Sequence, residues 1–300
     1  MQPSFLQIVL LAIIQGLAEL LPVSSSAHVI VAEKLMGLDP SAPAMTFLLV
    51  MLHTGTMFAV IMFFWPKWRA LWQQGVKSSI DYLRFIIIAT GFTGVIGLGL
   101  KFVIEKIILS SQPDAEIEHL FKNLPLIAFS LTAAGVIIII AGFAIKRPAM
   151  MNAEPRPLST RSAAIIGIVQ GLCLPFRGFS RSGATISVGL LQRLARDQAE
   201  TFSFALAVVL TPPVLVLQIH RLLKANAAAG VTQVDVSLFT PGLMGMIFSF
   251  LAGLAALRWL SSWLEHGKWH LFGFYCLAAA VGVWSVHWLM PVLDVAAAAH

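Results

Sequence analysis

Apolar residues run along this chain in blocks of helical period, and two of those blocks break in the same way. Residues 5–21 are apolar with a period near 3.6, stop at Pro22, and give way to Ser24, Ser25 and Ser26 before a second apolar run over residues 27–36. Residues 163–176 form a matching run, Arg177-Gly178-Phe179-Ser180-Arg181-Ser182-Gly183 interrupts it, and residues 184–194 resume it. Serines directly ahead of an apolar run are helix-start signals, so each break predicts helix, turn, helix. At about 1.5 Å per residue, the runs over 27–36 and 163–176 fall short of a bilayer's ~30 Å hydrocarbon core. Each pair therefore predicts a re-entrant hairpin. Broken backbone at membrane depth must be buried in protein or line a watery cavity.

The other apolar blocks are long. Residues 46–64, 85–103, 124–145, 201–219, 242–260 and 271–289 predict six full spans. The first is expected to end at Trp65-Pro66, with Lys67, Arg69, Lys77 and Arg84 in the stretch that follows. Asp114, Glu116, Glu118 and Lys122 mark a solvated loop, and residues 295–300 read as a frayed Ala-rich tail. The Pro-rich polar stretch from Lys146 to Arg161 reads as the linker between two halves. Composition agrees, because 58% of residues are hydrophobic and 11% charged, where a soluble domain carries about 25% charge. The predicted fold class is thus an all-α polytopic membrane protein, six transmembrane helices plus two re-entrant hairpins. Basic clusters flanked by aromatics, as in RNA-binding chains, are absent from the sequence, so nucleic acid is not an expected partner. Cys173 and Cys276 both fall in apolar runs and read as buried thiols.

The two halves repeat. At an offset of 155 residues, Gln15-Gly16-Leu17 falls on Gln170-Gly171-Leu172, Ser25 on Ser180, Thr46-Phe47 on Thr201-Phe202, and Thr56 on Thr211. Three spans separate the hairpins, so the repeat is expected to be inverted: residues 1–145 and 161–290, within one membrane domain over 1–300. Interrupted helices in such repeats meet near the midplane and build the site there. Twelve Lys and Arg residues fall on the face that holds the Lys146–Arg161 linker and six on the other. The positive-inside rule makes the richer face cytoplasmic and puts both termini outside. The first residues lack a basic stretch and contain Gln15 and Glu19, which reads as mature sequence and not as a cleaved leader.

Polar groups inside lipid-like sequence are costly and mark function by default. Arg181 lies between two half-helices, and a guanidinium suits phosphate because it donates two parallel hydrogen bonds. Ser180, Ser182 and Thr185 surround it at a helix N-terminus, where free N–H groups favour an anion. Ser25 and His28 are three apart, a spacing that puts them on one helix face, and a hydroxyl beside an imidazole is a minimal activated nucleophile. The plainer reading leaves Ser24, Ser25 and Ser26 as caps and His28 as a buried histidine; repetition of the break at Ser180 favours chemistry. Gln15 and Glu19 share a face, and Glu19 could balance Arg181, bind a divalent cation (Mg or Ca) or move a proton. His53, isolated in a span, reads as packing.

Gln15 to Glu19, then Leu21-Pro22-Val23-Ser24-Ser25-Ser26-Ala27-His28, and later Gly178 to Thr185 resemble the motifs of the undecaprenyl-pyrophosphate phosphatase family, also known for bacitracin resistance. The resemblance covers nearly the whole chain. One position departs: the family's Pro before the second-motif Gly is Arg177 here. The resemblance implies removal of the terminal phosphate from a polyisoprenyl diphosphate, the carrier lipid of cell-wall synthesis. It implies a site open to the outer face of the bacterial inner membrane, with Ser25, His28, Glu19 and Arg181 as catalytic residues. Gln15, Ser24, Ser26, Ser180, Ser182 and Thr185 would then hold substrate. It leaves room for a homodimer. The competing class is an inverted-repeat transporter or a lipid flippase with Arg181 binding an anionic cargo.

Overall fold

A computed structural model describes residues 3–40, 42–108, 120, 123–228, 239–264 and 268–298; Asp114, Glu116, Glu118 and Lys122 of the predicted charged loop lie outside them. Eleven helices follow one another: α1 (Phe5–Leu20), α2 (Ser25–Leu35), α3 (Pro43–Gln73), α4 (Val76–Val103), α5 (Leu124–Ala144), α6 (Pro148–Met151), α7 (Thr160–Cys173), α8 (Arg181–Leu191), α9 (Arg196–Ala228), α10 (Thr240–Leu264) and α11 (Trp269–Ala298). Six of them, α3, α4, α5, α9, α10 and α11, are long and apolar enough to cross a membrane. This is an all-α polytopic membrane protein. The pairs α1–α2 and α7–α8 are the broken helices, and the hairpin halves α2 and α8 have 11 residues each.

Two span boundaries differ from expectation. The helix expected to stop at Trp65-Pro66 runs on through Pro66 to Gln73, and α4 starts at Val76, so Lys77 and Arg84 are helical. An interior proline forfeits one backbone hydrogen bond. Tertiary contacts on the following turn offset it: Lys67 pairs with Asp197 at the start of α9, and Trp68 packs into the core beside Phe64. The turn at Gly75 (φ 118°) then leaves only two residues between α3 and α4. Likewise α9 continues past Pro212 and Pro213, and α11 continues through most of the expected tail to Ala298.

Helices from the two parts of the chain interleave. α1 lies along α10 while α7 lies along α4; α5 lies along α11, and α3 along both α9 and α10. Small residues permit the closest approaches, as is usual where lipid removes the hydrophobic drive for helix association. A Cβ on Gly16 would stand 2.5 Å from the Ala252 Cβ of α10, and one on Gly171 would stand 2.7 Å from the Ile96 Cβ of α4. The glycine of the Gln-Gly pair in each half thus lets its first hairpin helix pack closely against a span. Large apolar side chains such as Phe5, Val95, Phe102 and Val216 face outward, whereas Thr93, Ser203 and Ser249 are buried. That distribution suits a lipid exterior around a packed interior that also holds polar groups.

Candidate active site

The last two turns of α1 carry Gln15 and Glu19 on one face. Pro22 disfavours helical backbone at the residue before it, and Leu21 is extended (φ −76°, ψ 146°). Ser24 follows in the left-handed region (φ 67°, ψ 85°), a conformation that costs a non-glycine residue on the order of 1 kcal/mol or more and tends to occur at functional sites. This turn sends the chain back so that Ser25, the first residue of α2, donates its hydroxyl proton to Glu19 Oε2.

The second break is built from glycine. Gly178 has φ +100°, and a Cβ there would lie 2.5 Å from the Ile127 carbonyl oxygen, so both conformation and space require glycine. Ser180 then caps α8, its Oγ accepting from Gly183 N at 3.2 Å. Arg181, the first residue of α8, reaches across to the other hairpin, where Nη2 donates to Glu19 Oε1 at 2.9 Å.

Glu19 is therefore the hub. Its Oε2 accepts from Ser25 and from Gln15 Nε2 at 3.0 Å, with His53 Nε2 at 3.6 Å, while Oε1 holds Arg181. Gln15 is fully buried and outside the cavity lining, so it orients Glu19 and does not face the cavity. A cavity of about 510 Å³ opens on this hub. Its polar end is lined by Glu19, Ser24, Ser25, Ser26, His53, Ser180, Arg181 and Ser182. From there it runs between α4 and α9, past apolar Leu98, Val214 and Leu217, to Lys101, Gln218 and Arg221. A charged phosphate group fits the first region and an apolar chain the cleft beside it.

Like Gln15, two other expected site residues lie outside the cavity lining. His28 does not face Ser25: its Nδ1 is 2.8 Å from the Ser24 carbonyl oxygen and its Nε2 is 2.8 Å from the Tyr275 hydroxyl of α11, with the two rings stacked. The histidine at the hub is His53 of α3, which the sequence pattern assigns to packing; its position in a span, three residues before Thr56, another cavity-lining residue, is the only signal for it in the sequence. Thr185 does not line the cavity either. It is fully buried, donates to the Arg181 carbonyl oxygen at 2.7 Å and shares a 2.6 Å hydrogen bond with Ser203 of α9. It braces the start of α8, and Ser203 joins it through its own carbonyl, which lies 3.5 Å from Arg181 Nη1.

A divalent cation on Glu19 is the remaining expectation. Both carboxylate oxygens are already engaged, one of them by a guanidinium that would repel a metal ion. Among the described residues no three His, Cys, Asp or Glu side chains group as ligands. Hard divalent cations take six or more oxygen ligands, so this donor set does not fit one as a resident cofactor.

Residues 8–282 match the family described as bacitracin resistance protein BacA. The chain belongs to the BacA family. The match includes both broken hairpins and so every residue of the hub. Among its relatives, undecaprenyl-diphosphatase 2 of Acinetobacter baylyi is 56% identical over 275 residues, covering 91% of this chain and 94% of that protein. An undecaprenyl-diphosphatase of Rhodopirellula baltica is 31% identical over 278 residues, covering 92% and 95% of the two chains. One from Korarchaeum cryptofilum is 30% identical, covering 93% and 98%.

Proposed function

We propose that this BacA-family chain hydrolyses undecaprenyl diphosphate to the monophosphate and inorganic phosphate, recycling the carrier lipid of wall synthesis. The observation that carries the reading is the Ser25–Glu19–Arg181 chain of contacts at the polar end of a cavity whose other walls are apolar. The names of its relatives agree with it.

In this reading the diphosphate enters the polar end and Arg181 binds oxygens of the terminal phosphate, with Ser182 and the N-terminus of α8 adding donors. Ser25 Oγ attacks the terminal phosphorus as Glu19 takes the hydroxyl proton. The bond from phosphorus to the bridging oxygen breaks and the lipid monophosphate departs with that oxygen. Glu19 releases its proton to the medium, then takes one from a water that attacks the phosphoserine, and returns it to Ser25 as inorganic phosphate leaves. Phosphoryl transfer of this kind needs positioning and charge stabilisation above all, and a guanidinium fixed by Glu19 costs little reorganisation when the charge develops. His53, beside Glu19, shares in the proton transfers.

Two structural features complete the proposal. The halves 1–145 and 161–290 form an inverted repeat; the 155-residue offset supports it, as does the exchange of partners in which α1 lies on α10 and α7 on α4. The protein lies in the inner membrane with its termini and cavity mouth outward. Lys101 and Arg221, at the far end of the cavity, belong to the face poorer in basic residues, which supports that orientation. Release of phosphate from purified lipid diphosphate in detergent tests the activity: a folded protein that releases none contradicts it.

A further inference from the structure

Arg181 is held at both ends by one residue of another helix. Ser203 lies on α9, 22 residues beyond Arg181 in sequence, and is 1% exposed. Its carbonyl oxygen is 3.5 Å from Arg181 Nη1, the guanidinium nitrogen that does not bond Glu19. Its hydroxyl is 2.6 Å from the Thr185 hydroxyl. Counting protons gives that contact a direction. Thr185 Oγ1 donates its one proton at 2.7 Å to the Arg181 carbonyl oxygen, so Ser203 Oγ is the donor and Thr185 Oγ1 the acceptor. Ser203 therefore holds the side chain of Arg181 directly and its main chain through Thr185. Ser203 lies beyond the motif that ends at Thr185, and neither residue lines the cavity.

A guanidinium offers two parallel hydrogen bonds only when the plane of its fork is fixed. Glu19 Oε1 holds one tip of the fork, a single contact about which the group can still turn. The Ser203 carbonyl on the other nitrogen, and the hydroxyl chain on the main chain behind it, remove that freedom. Donors already aimed at the phosphate need no reorganisation as charge develops in the transition state. Resting on the phosphatase reading, we propose that Ser203 is a positioning residue: its hydroxyl, acting through Thr185, sets the orientation in which Arg181 meets the terminal phosphate.

Phosphate release from undecaprenyl diphosphate by purified full-length variants in detergent tests this. Ser203→Ala and Thr185→Val each remove one hydroxyl of the chain, and each should lower kcat about tenfold with KM within about twofold. The double variant should be little worse than either single one, because both break the same chain. Thr185→Ser keeps the hydroxyl and should retain most of kcat. In an Arg181→Lys background, Ser203→Ala should lower kcat by less than about twofold, since an ammonium has no fork to aim. Ser187→Ala is the matched control. Ser187 is fully buried on the same helix and accepts from Trp269 Nε1 at 3.0 Å, so its loss should lower stability and leave kcat unchanged. Should Ser203→Ala fold poorly, Thr185→Val, which keeps the shape of threonine, carries the comparison. Unchanged kcat in the folded variants overturns the role. So does an equal factor in the wild-type and Arg181→Lys backgrounds, or a matching loss of kcat in Ser187→Ala, either of which marks general packing. Failure of the phosphatase reading looks different: the wild-type enzyme releases no phosphate, and the role falls with it.

Discussion

Glu19 and Arg181 are 162 residues apart in sequence and 2.9 Å apart in space. The pair joins the first helix break to the second, and Glu19 extends the chain of contacts to Ser25. Neither hairpin alone holds a complete site, which makes the packing of the two hairpins a condition of activity.

Arg181→Lys keeps the charge and loses the fork. Its ammonium can hold Glu19 or a phosphate oxygen but cannot offer two parallel bonds. Turnover should fall about 100-fold, with thermal stability in detergent close to wild type. Near-normal kcat in the folded lysine variant would remove the clamp.

Glu19→Gln retains the shape and removes both the base and the counter-charge of Arg181. We expect kcat to fall by about 10²–10⁴ while diphosphate still binds, because Arg181 is then freer to hold phosphate. Gln15→Leu leaves Glu19 with one fewer donor and should lower kcat much less. Equal losses in the two variants would show that Glu19 acts only by holding the hairpins together.

The histidines separate cleanly. His53→Ala should reduce kcat by at least about tenfold, since the ring lies beside Glu19 Oε2. His28→Ala and Tyr275→Phe should each lower stability by about 0.5–2 kcal/mol and leave kcat within a few-fold, since the two side chains bond to each other. Kinetics of the purified variants beside their thermal unfolding give both readings. A dead His28→Ala enzyme with normal stability would reinstate His28 as a catalytic group.

Much of this is legible from residues. Pro22 and the Gly178-to-Gly183 stretch are conspicuous in apolar sequence, and both breaks are where the pattern puts them. Arg181 and Glu19 stand out because a charge inside lipid-like sequence is costly and persists where it has a partner and a task. Helix ends are less legible: Pro66, Pro212 and Pro213 look like stops, yet tertiary packing carries the helices through them. The histidine at the hub is hidden because local spacing speaks only for residues on one continuous helix. Ser25 sits at the first position of α2 and points back to α1, while His28 faces a tyrosine 247 residues away. Thr185 misleads for a similar reason, since its partner Ser203 belongs to the next helix.

Close helix approach gives a prediction about stability. Gly16→Val and Gly171→Val force side chains into the backbones and side chains of α10 and α4, where even a Cβ would come within 2.9 Å of backbone atoms. Each should destabilise the protein by about 1–3 kcal/mol and lower activity through displacement of its hairpin. Thermal unfolding in detergent checks it, and wild-type stability would contradict the packing described.

The orientation can be read in intact cells. In a background lacking Cys173 and Cys276, a cysteine introduced at Asn152, next to α6, should resist a membrane-impermeant thiol reagent until the membrane is opened. Labelling from outside would reverse the topology and place the cavity mouth on the cytoplasmic face.

The most direct test is the fate of phosphate in Ser25 variants of the purified protein, with undecaprenyl diphosphate in detergent. Wild type should release one phosphate per lipid and, in rapidly quenched mixtures, carry a phosphoserine at position 25. Ser25→Ala should release none and still bind the lipid, because Arg181 and the α8 N-terminus remain. Ser25→Asn, which restores a helix cap but offers no hydroxyl, should be equally inactive. An active Ser25→Asn enzyme would contradict the account, leaving Ser25 a cap and water the attacking group.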